Sequence, residues 1–170
     1  GTWGTTTNTN FDIIDRALNG VGAVTLTGTS HTLTTSDGSL SDGQFKVLVF
    51  GGTLSSANTI TISPNDADKL YFVYNNTSGS QNIIFSQGSG ASVTVPPGAT
   101  KIIYADGAGS GAAVSDFTDR ISASNVNIDG GAIDGTAIGA NSATTGAFST
   151  ITGSGDVTID TNTFKVDTAN

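Results

Sequence analysis

The side chains able to do acid–base, nucleophilic or metal chemistry are few. His31 is the single histidine of 170 residues, and there is no cysteine. One imidazole cannot supply a cluster of His ligands, and a Ser-His-Asp arrangement has only this one candidate base, so His31 reads as a polar residue at a strand start or in a loop. All 14 acidic residues are Asp. The string "SDGSLSDG" carries Asp37 and Asp42, and "IDGGAIDG" carries Asp129 and Asp134. Their oxygens suit a hard cation, but Asp-Gly is also a common turn dipeptide, and neither string has the spacing of an EF-hand or of a calcium β-roll. They read as turns, and no metal or cofactor is expected. Two carboxylates could form a glycosidase pair, yet no cluster of Trp, Tyr and basic residues surrounds them to build a sugar cleft. "GAGSGAA" lacks the strand, Lys and helix context of a phosphate loop. No catalytic residue is assigned, and the chain is expected not to be an enzyme.

Charge narrows the partners. The formal net charge is -8, the isoelectric point is about 4.1, and the six basic residues are scattered. Binding to nucleic acid by counterion release needs clustered Lys and Arg, so no nucleic-acid partner is expected. No apolar run approaches the ~18 residues of a membrane span, and none has the pattern of a signal peptide. The chain begins on Gly1 rather than Met, and is read as starting inside a longer gene product.

The elements that would position any such residues are mostly strands. Gly is abundant at 23 residues, and Thr, Ser and Asn recur throughout. Asp, Ser and Asn compete with the helical backbone for hydrogen bonds and Thr is stiff at its branched carbon, so long helices are disfavoured. Apolar residues make up 36% of the chain, below the ~45–50% of an average globular domain, but they arrive in clusters, which marks a folded chain. With a thin core and no disulfide, such a chain needs other copies of itself.

Three zones follow. In residues 1–21, Phe11, Ile14, Ala17 and Leu18 share one face of a two-turn amphipathic helix, with Asn10 as N-cap and Asn19-Gly20 as the stop. A helix this short is marginal alone, so its apolar face must dock. Trp3, ahead of it, either anchors entry into a symmetric assembly or staples the helix to its own domain. Residues 22–120 hold eight strand-like runs, "AVTLTG", "HTLTT", "FKVLVF", "NTITIS", "KLYFVYN", "QNIIFSQ", "SVTVPP" and "TKIIYAD", separated by turn chemistry. That spacing predicts a small antiparallel β-sandwich, with "FKVLVF" and "KLYFVY" as central strands. In residues 121–170, Ile128, Ile133 and Ile138 recur every five residues between Asp-Gly and Gly-Gly pairs. Such isolated apolar residues can be buried only against symmetry mates or stacked repeats, which predicts an extended, intertwined trimeric β-stalk. The fold class is therefore read as all-β with a short N-terminal helix. Trp3, Phe11, Ile14, Leu18, Ile128, Ile133 and Ile138 are the expected trimer or attachment interface.

The strings "GTWGTTTNTNFDIIDRALNG", "TISPNDADKLYFVYNNTSGSQNIIFSQG", "VPPGATKIIYADG" and "NVNIDGGAIDGTAIGANSATTGAFSTITGSGDVTID" together resemble the N-terminal region of tailed-bacteriophage fibre and related virion proteins, especially those of marine phages. The resemblance implies a homotrimer held on the virion by a tail, baseplate or neck protein. It implies a structural part in host adsorption, with the host surface met by distal parts of the fibre. These residues would be the virion-proximal part. It brings no catalytic residues. The alternative is a carbohydrate- or host-surface-binding β-sandwich, with part of a depolymerase tailspike behind it. A binding module should cluster aromatics on one exposed face, whereas Tyr71, Tyr74 and Tyr104 lie inside strand-like runs.

Overall fold

Turn-bounded runs of Val, Ile, Thr and aromatic residues become strands because their branched and ring side chains pack well on a pleated surface. The computed structural model describes residues 2–118, which belong to one compact unit, Gly1–Ser124. Ile128, Ile133, Ile138, Asp129, Asp134 and the expected stalk lie outside the described residues. The described chain is mostly strand, with one helix and two mixed sheets. Its elements are α1 (Thr2–Asn19), β1 (Val21–Thr25), β2 (Ser30–Thr34), β3 (Val47–Gly51), β4 (Asn58–Ser63), β5 (Asp68–Asn75), β6 (Ile83–Ser86), β7 (Val93–Val95), β8 (Thr100–Asp106) and β9 (Val114–Asp116). The eight runs expected from sequence correspond to β1 to β8. The three residues of β9 went unforeseen.

The expectation of antiparallel pairing is overturned for most of the molecule. The first sheet has the order β1-β3-β5-β8-β9 and the second β2-β4-β6-β7. Because the chain alternates between the sheets through its first six strands, neighbours within a sheet are two elements apart and run the same way. Thus β1, β3 and β5 are parallel, as are β2, β4 and β6. Each pair of strands is one rung, and Val21, Val47 and Phe72 occupy one register position on successive rungs. β7 and β8 reverse, each antiparallel to its neighbour, and β9, antiparallel to β8, turns back to the direction of β5. As foreseen, β3 and β5 are interior strands.

One apolar core lies between the sheets. Leu48, Phe50, Tyr71, Val73 and Ile103 from the first meet Leu33, Ile60, Ile62, Ile83 and Phe85 from the second. Phe50 and Phe85 touch edge to face across the core, with ring centroids 5.5 Å apart, the arrangement that sets a positive ring edge on a negative face. The buried polar side chains are amides, not charges: Gln44, Asn58, Asn75 and Gln87. They serve as braces for turns, since an uncharged amide costs far less to bury than an ion and offers both donors and an acceptor. Gln87, for example, donates to the Ala67 carbonyl and accepts from the Gly107 N–H.

An ion pair fastens the last strand. Lys101 on β8 meets Asp116 on β9. Burial opposes ionisation of Asp116, but hydrogen bonds from Lys101 and from the Thr118 backbone and hydroxyl, with the Lys101 charge, outweigh it and hold the carboxyl below its ordinary range. A group whose folded pKa is depressed contributes stability that is present above its unfolded value, about 3.9, and is lost as pH falls through the folded value. Asp116→Asn should therefore flatten the acid limb of the stability curve. Urea unfolding of both chains at pH 7 and pH 3 checks this, the gap between them narrowing at the lower pH.

Candidate functional site

The helix is longer than expected. It starts at Thr2, so Asn10 sits in its middle and is not its cap. Thr and Asn are weak helix formers because their side chains compete for backbone groups. Here Thr6, Thr7 and Thr9 donate their hydroxyls to the carbonyls of Thr2, Trp3 and Thr5, each at 3.0 Å, four residues back along the helix. The competition is thereby turned onto carbonyls of the helix itself. The helix stops at Asn19-Gly20 as foreseen, but not in the left-handed turn expected there, since neither residue has a positive φ; the Gly20 N–H donates to the Arg16 carbonyl.

Contacts with the body of the domain concentrate at the helix's C-terminal end. The Arg16 guanidinium lies 4.5 Å from the centroid of the Phe45 ring and donates to the Ser41 carbonyl at 3.2 Å. The Arg16 carbonyl also accepts from the Lys46 N–H. Thr9, Ile13 and Arg16 are the half-buried residues of one side. At about 100° per residue, Trp3, Phe11, Ile14 and Leu18 fall within an arc of about 80° on the opposite side. They are 81%, 64%, 51% and 66% exposed. The stapling of Trp3 and this face onto their own domain is thus not what forms. No residue of α1 is buried. Four large apolar side chains thus share one side of the helix and are open to solvent, Phe11, Ile14 and Leu18 contiguous and Trp3 set apart from them by the half-buried Thr7.

Of the residues weighed for chemistry, His31 and Asp42 are hydrogen-bonded to each other. His31, one residue into β2, has its Nε2 2.8 Å from Asp42 Oδ2, and Asp42 Oδ1 accepts from the Thr34 N–H. Asp42 opens a short 3-10 turn, Asp42–Gln44, closed by reciprocal bonds between Ser41 and Gln44. Below it Tyr71 donates its hydroxyl to the Gly43 carbonyl at 2.8 Å. Burial, with the Asp42 carboxylate adding, pushes the Tyr71 phenol well above its ordinary value, so it stays a neutral donor. Asp37 is exposed in a turn. Among the described residues no three His, Cys, Asp or Glu side chains converge as they would on a metal. The cleft beside the helix end, lined by Ala17, Phe45, Lys46, Asp68 and Tyr71, holds about 150 Å³, below the ~300–1,000 Å³ of small-molecule sites. No helix of the described residues is long and apolar enough to cross a membrane.

Of the expected interface residues, the structure brings together Trp3, Phe11, Ile14 and Leu18 and leaves them uncovered. Sequence reasoning included Ala17 in this face and did not extend the helix back to Trp3. The spacing from Trp3 to Phe11, eight residues, was the available signal, masked by intervening Thr and Asn. Searches against protein-family models, curated proteins and solved structures find no match to the chain.

Proposed function

We propose that this chain is the virion-proximal part of a homotrimeric fibre of a tailed phage, a structural protein whose α1 stripe is where copies meet. The observation that carries the reading is the stripe itself. Trp3, Phe11, Ile14 and Leu18 are large, apolar and open to water on a helix anchored from its opposite side. Soluble chains bury such stripes, and a helix with little tertiary packing gains most from helices of other copies. Phe11, Ile14 and Leu18 are spaced three and four apart, as in the seam of a helical bundle. The phage assignment is carried by the sequence resemblance. In this reading the two-sheet body is the sandwich-like head and residues 121–170 start the trimeric stalk.

The 170-residue chain in dilute neutral buffer should sediment at three times its 17.0 kDa mass. Replacing Phe11 and Ile14 by Ser removes two anchors worth roughly 1.5–3 kcal/mol each when fully buried. That variant should sediment as a folded monomer, with its cooperative thermal transition retained. A folded wild-type monomer at micromolar concentration would overturn the trimer. Antibody to the chain should label external appendages of tailed particles in electron micrographs, and particles that carry none of it would overturn the assignment to a virion.

A further inference from the structure

The two sheets present opposite chemistry to the outside. Alternation puts every second residue of a strand outward. On the second sheet the outward positions are Ser30, Thr32 and Thr34, Thr59, Thr61 and Ser63, Ile84 and Ser86, and Thr94. That is the polar exterior expected of a sheet with one wet face. On the first sheet the central outward positions are apolar, and Thr25, Asp68, Thr100, Asp106 and Ser115 stand at the margins of the same face. Val21, Val47, Phe72 and Ile102 stand side by side in register across four strands. Val49 and Tyr74 flank this row on one side, Leu70 and Tyr104 on the other, and Phe117 stacks on Tyr104 with ring centroids 5.6 Å apart. Val21, Phe72 and Phe117 are 63%, 38% and 41% exposed. Of the eight large hydrophobic side chains exposed among the described residues, four lie on the α1 stripe and three on this face. The eighth is Leu40.

We infer that the outer face of the first sheet is a second self-association surface, packed in the assembly against another copy of this chain. The inference rests on the homo-oligomer proposed above and identifies a different surface for it. Two observations select a second copy as the occupant. First, the face adjoins the helical stripe, since Leu18 and Val21 flank the helix–strand junction and are both about two-thirds exposed. The stripe runs from Trp3 to Leu18, about 24 by 10 Å, and the face is roughly 19 by 14 Å. Either projects on the order of 250 Å², about a third of the ~800 Å² per partner of a stable interface, and the two together offer roughly twice what either does alone. Second, the described chain leaves in the plane of the sheet and not over it. The Phe117 N–H donates to the Ile102 carbonyl and the Ile102 N–H donates to Thr118 Oγ1, both at 2.8 Å, so the chain keeps to the edge of β8.

The test uses the full chain. Phe72→Asp puts a carboxylate at the centre of the face and should weaken association roughly 10- to 100-fold, judged from the burial of one large side chain. Thr61→Asp, at the matching place on the polar sheet, should leave it unchanged. Sedimentation equilibrium reads both, with retention of the thermal transition as the check on folding. Hydroxyl-radical footprinting of Phe72, Tyr104 and Phe117 in the unaltered chain, at concentrations above and below dissociation, gives a measurement independent of any variant. Protection that appears only on association supports the inference. Protection in the dissociated chain would assign the face to residues 119–170 of the same copy, and protection only on adding polysaccharide would make it a sugar platform. Either result overturns the inference. An unaltered chain that assembles, with Phe72→Asp assembling equally well, overturns it and leaves the α1 stripe standing. A chain that never associates overturns the homo-oligomer as well.

Discussion

Asn75→Asp is expected to cost the domain about 3–5 kcal/mol at neutral pH, the scale of an uncompensated buried charge. Asn75 is fully buried at the end of β5. Its amide nitrogen donates to the Gln81 and Val95 carbonyls at 3.1 and 3.0 Å, and its Oδ1 accepts from the Thr77 N–H and hydroxyl. Its backbone bonds to Gly98 and Ala99 as well. One residue thus ties the third rung to the reversal that follows. A carboxylate supplies no donor, and two carbonyl oxygens would face a negative charge. The new group's folded pKa would be raised, so its cost grows as pH rises through the unfolded value near 4. This is the reverse of the Asp116 case. Urea unfolding at pH 4 and pH 7 should show the variant closer to the parent at pH 4. Equal losses at both would mean that the carboxylate finds solvent.

Gly79→Ala should be comparably severe, on the order of 4 kcal/mol, a size that marks a specific steric failure. A Cβ on Gly79 would come to 1.9 Å from the Leu54 carbonyl oxygen, and its φ of +99° is one that L side chains rarely adopt. The obstacle is backbone of the preceding rung, which no rotamer can clear. Gly52 repeats the relation one rung earlier, 2.3 Å from the Leu26 oxygen at φ +107°. Gly28 separates the two causes. Its φ is +66° with nothing within 4 Å, so Gly28→Ala should cost only the left-handed strain, about 1–2 kcal/mol. Thermal unfolding of the two variants side by side measures the difference.

Strand positions were legible because alternation and turn residues are local signals, and all eight runs from "AVTLTG" to "TKIIYAD" became strands. Pairing was not. The turns between them resemble hairpin turns, while the information on neighbours sits in correspondences more than twenty residues apart, such as Leu26 with Gly52 or Val21 with Val47 and Phe72. The near-continuous apolar runs of β3 and β5 marked interior strands, but their alternate residues also form the open outer face, a feature visible only once Val47, Phe72 and Ile102 are in register. On the helix, the apolar spacing of Phe11, Ile14 and Leu18 was read, whereas the first nine residues were hidden by Thr and Asn, whose helical use depends on back-bonding that composition does not reveal.

The order of the first sheet also decides how the body would bear load. β1 and β9 lie at its opposite edges and point the same way, because β8 is antiparallel to both β5 and β9. Tension entering where β1 begins and leaving where β9 ends therefore runs along the strands, across hydrogen bonds that lie transverse to them. Each ladder is pulled in shear, so its bonds share the force and must give way together, where a hairpin pulled at its open end would unzip them one at a time. A body wired this way can sit in series within a tether and transmit a pull from one end to the other without opening.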